Sequence, residues 1–343
     1  MKIRSRQTWV RWSLITGIIG LSLAGMGRAE THWNFQAVDA IGDSVYNGPD
    51  VVALEGILLN RAEMMLDTDP EAPGDMGGQW QVYIQGDGAD HGGTALWMGK
   101  NYGSLPWVPP EKSYTEAEWP AELCRLNHNP GDGYCFAPGD RVRVRGRWLF
   151  YKGKVNINEN HNIDPAYDFT IELLEAGVGL PQPEVVTLAA LKDEQDQYIF
   201  EAGRLRGCEY YQGRLIRINE VQFVNASGWD KNATLTITDG TRTFPVVLGI
   251  GAGIYPGSSN LTEPFDVVGI LDQEASSGSG PFTDGYRLWV TNYDGNGRVL
   301  RDRGYRRGNL PGDVNGDGKI DLEDFTELVI DWLLTAPGLG DCN

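Results

Sequence analysis

Histidine and cysteine are scarce, four of each in 343 residues, which leaves little material for metal or redox chemistry. No C-x-x-C pair occurs, so a zinc ribbon and a thioredoxin-type site are excluded. There is no G-x-S-x-G, no H-E-x-x-H and no P-loop. Gly249-Ile-Gly251-Ala-Gly253 follows a strand-like segment, but no βαβ pattern surrounds it, so it reads as a turn. Long apolar runs are also missing. The longest, over 14–23, is about ten residues, half of the roughly 20 a membrane-spanning helix needs. Positive charge is in deficit, with 29 Lys and Arg against 47 Asp and Glu. Carboxylates are so frequent that no glycosidase-type pair stands out from the background.

The short apolar run belongs to an address label. Lys2, Arg4, Arg6 and Arg11 precede it, and Gly27-Arg28-Ala29 follows with small residues at the −3 and −1 positions. This is the layout of a secretory signal peptide over 1–29, cut after Ala29. Its removal takes five basic residues and no acidic ones, moving the net charge from −18 to −23. The mature chain is expected to be secreted or at the cell surface, without a membrane span. Its charge suits calcium-rich surroundings and speaks against nucleic acid.

Glycine is plentiful, at 45 residues, together with 11 Trp and 14 Tyr. Many short strands joined by tight turns have such a composition. After an extension over 30–49, alternation of period two sets in. Segment 51–59 is an apolar strand. In 79–85, Trp80, Val82 and Ile84 oppose Gln79, Gln81, Tyr83 and Gln85. Segment 94–98 adds a strand. In 141–148, Val142, Val144 and Trp148 oppose Arg141, Arg143, Arg145 and Arg147. Val155 with Ile157, then 169–174, complete the set. An aperiodic insertion over 99–139 interrupts it and carries Trp107 and Trp119.

The stretch 177–196 opens with GVGLPQP and reads as a linker. Strand patterns resume at 214–224 and 233–238, turn at Asp239-Gly240, and continue over 241–248, 266–272 and 286–292. Pro245 places its strand at an edge or bulge. Both regions run through the same events: a long strand, a hairpin, an irregular stretch, a V-x-G-type strand (Val144-Arg145-Gly146, then Val268-Gly269) and a last strand ending in asparagine-rich turns. This is an internal repeat of a five-stranded unit, and each half resembles the OB-fold, a five-stranded Greek-key barrel. The expected fold is mainly β: two tandem five-stranded OB-like barrels, over 50–176 and 197–297, plus a short calcium-loop–helix segment at the C-terminus. A single sandwich over 50–295 is the alternative.

A basic linker, 298–311, leads to 312–343. Counting from Asp313, side-chain oxygens fall at positions 1, 3 and 5 of a twelve-residue loop: Asp313, Asn315 and Asp317. Gly318 permits the tight turn, Lys319 offers its carbonyl at position 7, and Asp321 and Asp324 stand at 9 and 12. Such spacing of oxygens suits Ca2+. Phe325, Leu328, Val329, Trp332 and Leu333 then make one apolar helical stripe, while Leu310-Pro311-Gly312 breaks any entering helix. The segment resembles a single type I dockerin repeat, over about 23 residues. Tails of this kind resemble those on exported proteins of planctomycete-like bacteria. The resemblance implies calcium binding, a cohesin-like or cell-surface partner for the tail, and an association with extracellular polysaccharide breakdown. Only one repeat is present, and Leu322 and Glu323 stand where the family favours a Ser-Thr pair.

Cys124 and Cys135 flank a loop-like stretch and are a candidate disulfide; Cys208 and Cys342 pair or stay free. Asp87, Asp90 and His91 share one loop, as a metal site or as turn residues. The four arginines of 141–148 with Tyr151 form an anion stripe, or a solvated face paired with carboxylates; the net charge favours the second. The reading is a secreted, non-enzymatic binding or structural protein with Ca2+ as its one cofactor and a glycan as a candidate ligand. An accessory component of polysaccharide degradation docking through the tail, and an OB-type nucleic-acid binder, are the alternatives.

Overall fold

The computed structural model describes residues 29–71, 77–250, 264–290, 300–302, 322 and 325. The first half contains α1 (His32–Phe35), β1 (Val51–Leu58), β2 (Gln79–Gln85), β3 (Gly93–Gly99), α2 (Glu118–Asn127), β4 (Arg141–Tyr151), β5 (Lys154–Ile157) and β6 (Thr170–Glu175). β1 runs antiparallel to β2 and β2 to β3; β3 lies parallel to β5, and β5 antiparallel to β4. β4 then returns to β1, which closes a five-stranded barrel. β6 takes the other edge of β4 ahead of β5. The inward members of the alternating patterns, among them Leu54, Trp80, Val82, Ile84, Leu96, Val142, Val144 and Ile157, fill one core.

The second half contains β7 (Glu184–Val186), α3 (Leu188–Leu191), α4 (Cys208–Tyr211), β8 (Leu215–Phe223), β9 (Thr234–Thr238), β10 (Thr243–Leu248), β11 (Phe265–Gln273), β12 (Tyr286–Val290) and β13 (Leu300–Asp302). Its pairings repeat the cycle: β8 with β9, β9 with β10, β10 parallel to β12, β12 with β11, and β11 with β8. This Greek-key connectivity is the OB-type arrangement. β13 continues along β11 where β12 ends. Two cycles with two cores replace the single-sandwich alternative.

Three expectations change. Within 177–196, read as a linker, β7 pairs in parallel with β8, and Val186, Leu188 and Leu191 enter the second core. The aperiodic 99–139 contains α2, which buries only Trp119 and Leu126. The Cys124–Cys135 disulfide does not form, since Cys135 carries a free thiol. Cys124 sits on α2 while Cys135 lies on the returning chain, where its backbone bridges His128 rather than Cys124. Cys208 is a buried free thiol whose Sγ donates to the Leu191 carbonyl at 3.3 Å, so it has no disulfide to Cys342. Among the described residues, no helix is long and apolar enough to cross a membrane.

Candidate binding surface

OB-type barrels bind ligands on the outer face of their second and third strands. In the first barrel that face is covered. Gln81, Tyr83, Gln85 and Ala95 point away from the core, yet Tyr83 is only 2% exposed, Ala95 3% and Gln81 7%. Tyr83 and Ala95, with Leu59, Met65 and Leu66, pack into the apolar cluster of the second barrel. Gln85 Oε1 accepts from the Leu215 N–H at 2.9 Å. At the closest approach two glycines face each other. A Cβ on Gly93 would lie 1.9 Å from the Gly213 carbonyl oxygen, and one on Gly213 (φ +73°) 2.4 Å from that of Gly93.

One buried carboxylate ties this seam together. Asp272 on β11 accepts from Tyr83 Oη and Lys154 Nζ of the first barrel, each at 2.5 Å. It also accepts from the Trp289 Nε1–H at 3.0 Å and pairs with Arg287 at 2.9 Å. Glu274 pairs with Arg287 at 2.6 Å and lies 3.8 Å from Lys154, so two cations meet two carboxylates. Burial by itself would push the Asp272 carboxyl up. Lys154 and Arg287 outweigh that and hold it well below the usual carboxylate range.

The second barrel's corresponding face is the more open one, although Val247, outward on β10, is buried. Thr234, Thr236, Thr238, Thr243 and Pro245 point outward from β9 and β10 and are exposed or half-buried. Register places Thr238 opposite Thr243 and Thr236 opposite Pro245. The Asp239-Gly240 turn is held by Asp239 Oδ1, which accepts from the Thr241 and Arg242 N–H groups at 2.8 Å each. The Thr243 hydroxyl donates to Asp196 Oδ2 at 2.6 Å, with Lys192 3.7 Å from that carboxylate, and the Thr238 hydroxyl donates to the Arg242 carbonyl at 2.7 Å. The result is a firm, hydroxyl-bearing surface whose Asp196 carboxylate is paired.

The strand arginines divide. Arg141 pairs with Asp87 at 2.5 Å, and Arg143 with Glu55 at 2.6 Å and Glu172 at 3.5 Å. Arg145 and Arg147 have no ion pair among the described residues. The Asp87, Asp90 and His91 group does not converge: Asp87 holds Arg141, Asp90 accepts from the His32 and Trp33 N–H groups at 2.9 and 3.1 Å, and His91 contacts Arg214. Trp119 is buried, its Nε1–H donating to the Thr68 carbonyl at 2.7 Å, while Trp107 is 70% exposed.

Sequence reasoning missed a carboxylate cluster beneath the insertion. Glu122, Glu159 and Asp168 bring oxygens within 4.8 Å of one another. Arg125 already stands among them, 2.6 Å from Glu122, 3.6 Å from Glu159 and 3.8 Å from Asp168, and supplies the positive charge of the cluster. Tyr102 and Tyr114 donate to Glu159 Oε2 at 3.1 and 2.8 Å. Burial raises the Glu159 carboxyl to about 7 despite these partners. The cluster fastens the insertion to the barrel. Nothing in the spacing of Glu122, Glu159 and Asp168 along the chain signals it.

The calcium-loop residues Asp313, Asn315, Asp317, Lys319, Asp321 and Asp324 lie outside the described residues. Leu322 and Phe325 are helical and exposed.

No family description matches this chain, and no curated protein matches it. Among solved structures, a tetrameric HIN2 is similar over 72% of this chain and 93% of its own, at 10% identity and a TM-score of 0.28. A Replication Protein A heterotrimer bound to ssDNA is similar over 65% of this chain and 45% of its own, at 7% identity and a TM-score of 0.26. Likenesses this distant carry no argument about what the chain binds.

Proposed function

We propose that this is an exported, non-enzymatic binding protein. The first barrel and its insertion form a fixed platform, the open face of β9 and β10 takes the ligand, and the 313–324 loop is a calcium-held tail that attaches the molecule. The observation that carries this is the asymmetry between the two outer faces. A face of threonine hydroxyls without net charge suits a neutral glycan, which is recognised by hydrogen bonds rather than by ion pairing. The dockerin resemblance of the tail also fits an accessory place in extracellular polysaccharide breakdown.

A second reading, single-stranded nucleic acid on the same face, is favoured by the OB-type connectivity, because that face is where such barrels bind oligonucleotides. Thr236→Arg separates the two. It blocks a neutral glycan and strengthens a polyanion, so retardation in glycan-containing gels and oligo-dT anisotropy should respond in opposite directions. Glycan retardation indifferent to Thr236→Arg, or release of reducing ends from the glycan, would sink the proposal. For the tail, calorimetry on the full chain should show calcium uptake that Asp313→Ala with Asp317→Ala abolishes. Unchanged uptake would remove the loop from the account.

A further inference from the structure

Four arginines recur at period two on the outer face of β4, and their cross-strand neighbours decide what each is free to do. Arg143 lies between Glu55 on β1 and Glu172 on β6 and is paired with both. Arg145 lies between Ala53 and Thr170, neither of which ionises, and it is exposed. Arg147 lies opposite Val51, past the end of the β6 pairing. Its guanidinium carbon sits 4.6 Å from the centroid of the Tyr167 ring, and its Nε is buried without a hydrogen-bond partner among the described residues. A guanidinium stacked by its face still directs its terminal in-plane N–H groups outward to an oxyanion. Farther along, Tyr151 is 47% exposed, with the Lys152 ammonium 5.5 Å from its ring centroid.

From these contacts we infer that the Arg145–Arg147–Lys152 strip is a docking surface for an acidic polysaccharide. It is a site separate from the open face of β9 and β10. The two arginines stand roughly 6.6 Å apart along the strand, two residue rises, so successive acidic groups on an extended polymer each find a fork of N–H donors. Nucleic acid fits less well. Sequence-tolerant strand binding stacks successive bases on a row of open rings, whereas here Arg147 lies over Tyr167 and leaves Tyr151 as the exposed ring of the strip. The strongly acidic remainder of the chain limits attraction to this short row. The choice of a polysaccharide rests on the export reading; the strip itself does not.

The test uses the full chain, with labelled heparin oligosaccharide and labelled oligo-dT read by fluorescence anisotropy across a salt series. Heparin should bind, more tightly than oligo-dT, and weaken as salt rises. Arg145→Glu with Arg147→Glu should lower heparin affinity by about tenfold or more and flatten the salt dependence. Arg141→Gln, at a residue already paired with Asp87, should leave it within about threefold. Circular dichroism of each variant checks the fold. Absence of heparin binding at low salt, or binding indifferent to the double reversal, overturns the site. Tighter binding of oligo-dT overturns the assignment to polysaccharide. The mass of the chain recovered from the medium of an expressing bacterium tests export separately, so failure of that reading is told apart from failure of the strip.

Discussion

The two barrels share one cycle of strand pairings and differ in what their second and third strands face. On β2 and β3 the outward Gln81, Tyr83, Gln85 and Ala95 are as buried as core residues, because the other barrel packs on them. On β9 and β10 the outward threonines meet water. Two copies of one architecture have therefore diverged in use: one gives its outer face to a fixed neighbour, and the other keeps it free. An outward-pointing residue is not a surface residue until its neighbour is known.

Placing a charge on each face is the sharpest way to break this comparison. Ala95→Arg sets a guanidinium in the seam with no carboxylate left to meet it. It should cost about 3–5 kcal/mol and separate urea unfolding of the two barrels into two transitions, where the parent chain is expected to show one. A single transition of unchanged midpoint would mean that the face is not sealed. Next in size is Asp272→Ala, which leaves Lys154 and Arg287 to share Glu274 alone and should cost about 3 kcal/mol, read by chemical denaturation at pH 7.

Acid should imitate that change. The folded-state pKa of Asp272 is depressed, so its contribution is complete above the unfolded value of about 3.9 and is lost as pH falls below it. The stability profile of Asp272→Ala should be flatter than that of the parent chain in this acid range.

Glu209 on α4 behaves in the opposite sense. Burial raises its carboxyl to about 7, although Tyr286 donates to Oε1 at 2.5 Å. The folded state thus holds a proton that the unfolded state releases, and stability falls as pH rises from about 4.3 through 7. Glu209→Gln should gain about 1–3 kcal/mol at pH 8 and change little at pH 4, as thermal melts would show. The smallest effect belongs to the open face. Thr236→Arg should alter stability by no more than about 0.5 kcal/mol, and a larger loss would show the face to be covered.

Much of the barrel architecture was legible because alternation is a direct record of which side chains enter a core. Trp80, Val82 and Ile84 read as inward and are; Asp239-Gly240 read as a hairpin turn and is. What stayed hidden depends on partners distant in sequence. Tyr83 and Gln85 have the polarity of surface residues, and only the opposing barrel, through Asp272 and Leu215, removes them from water. β7 is three residues long and parallel, too short for any period to show. α2 buries a single pair seven residues apart, which is a faint helical signal. The cysteine pairing was inferred from proximity along the chain, whereas a disulfide needs side chains directed at each other. The division of the four arginines follows from Asp87, Glu55 and Glu172, carried on a loop and two other strands. The loop from Asp313 to Asp324 keeps its regular oxygen spacing as its support and awaits calorimetry.

Because β7 is hydrogen-bonded along β8, and Gly177 and Gly179 are hydrogen-bonded to Asp140 and Gly139 of the first barrel, the path from one barrel to the other leaves little slack on which to swing. Paired domains on a loose tether can close like jaws around what they bind; these two are splinted. Recognition must then happen on a surface already shaped for its target, with little to gain from clasping and little entropy to lose on docking. X-ray scattering curves recorded with and without a bound ligand should accordingly superimpose.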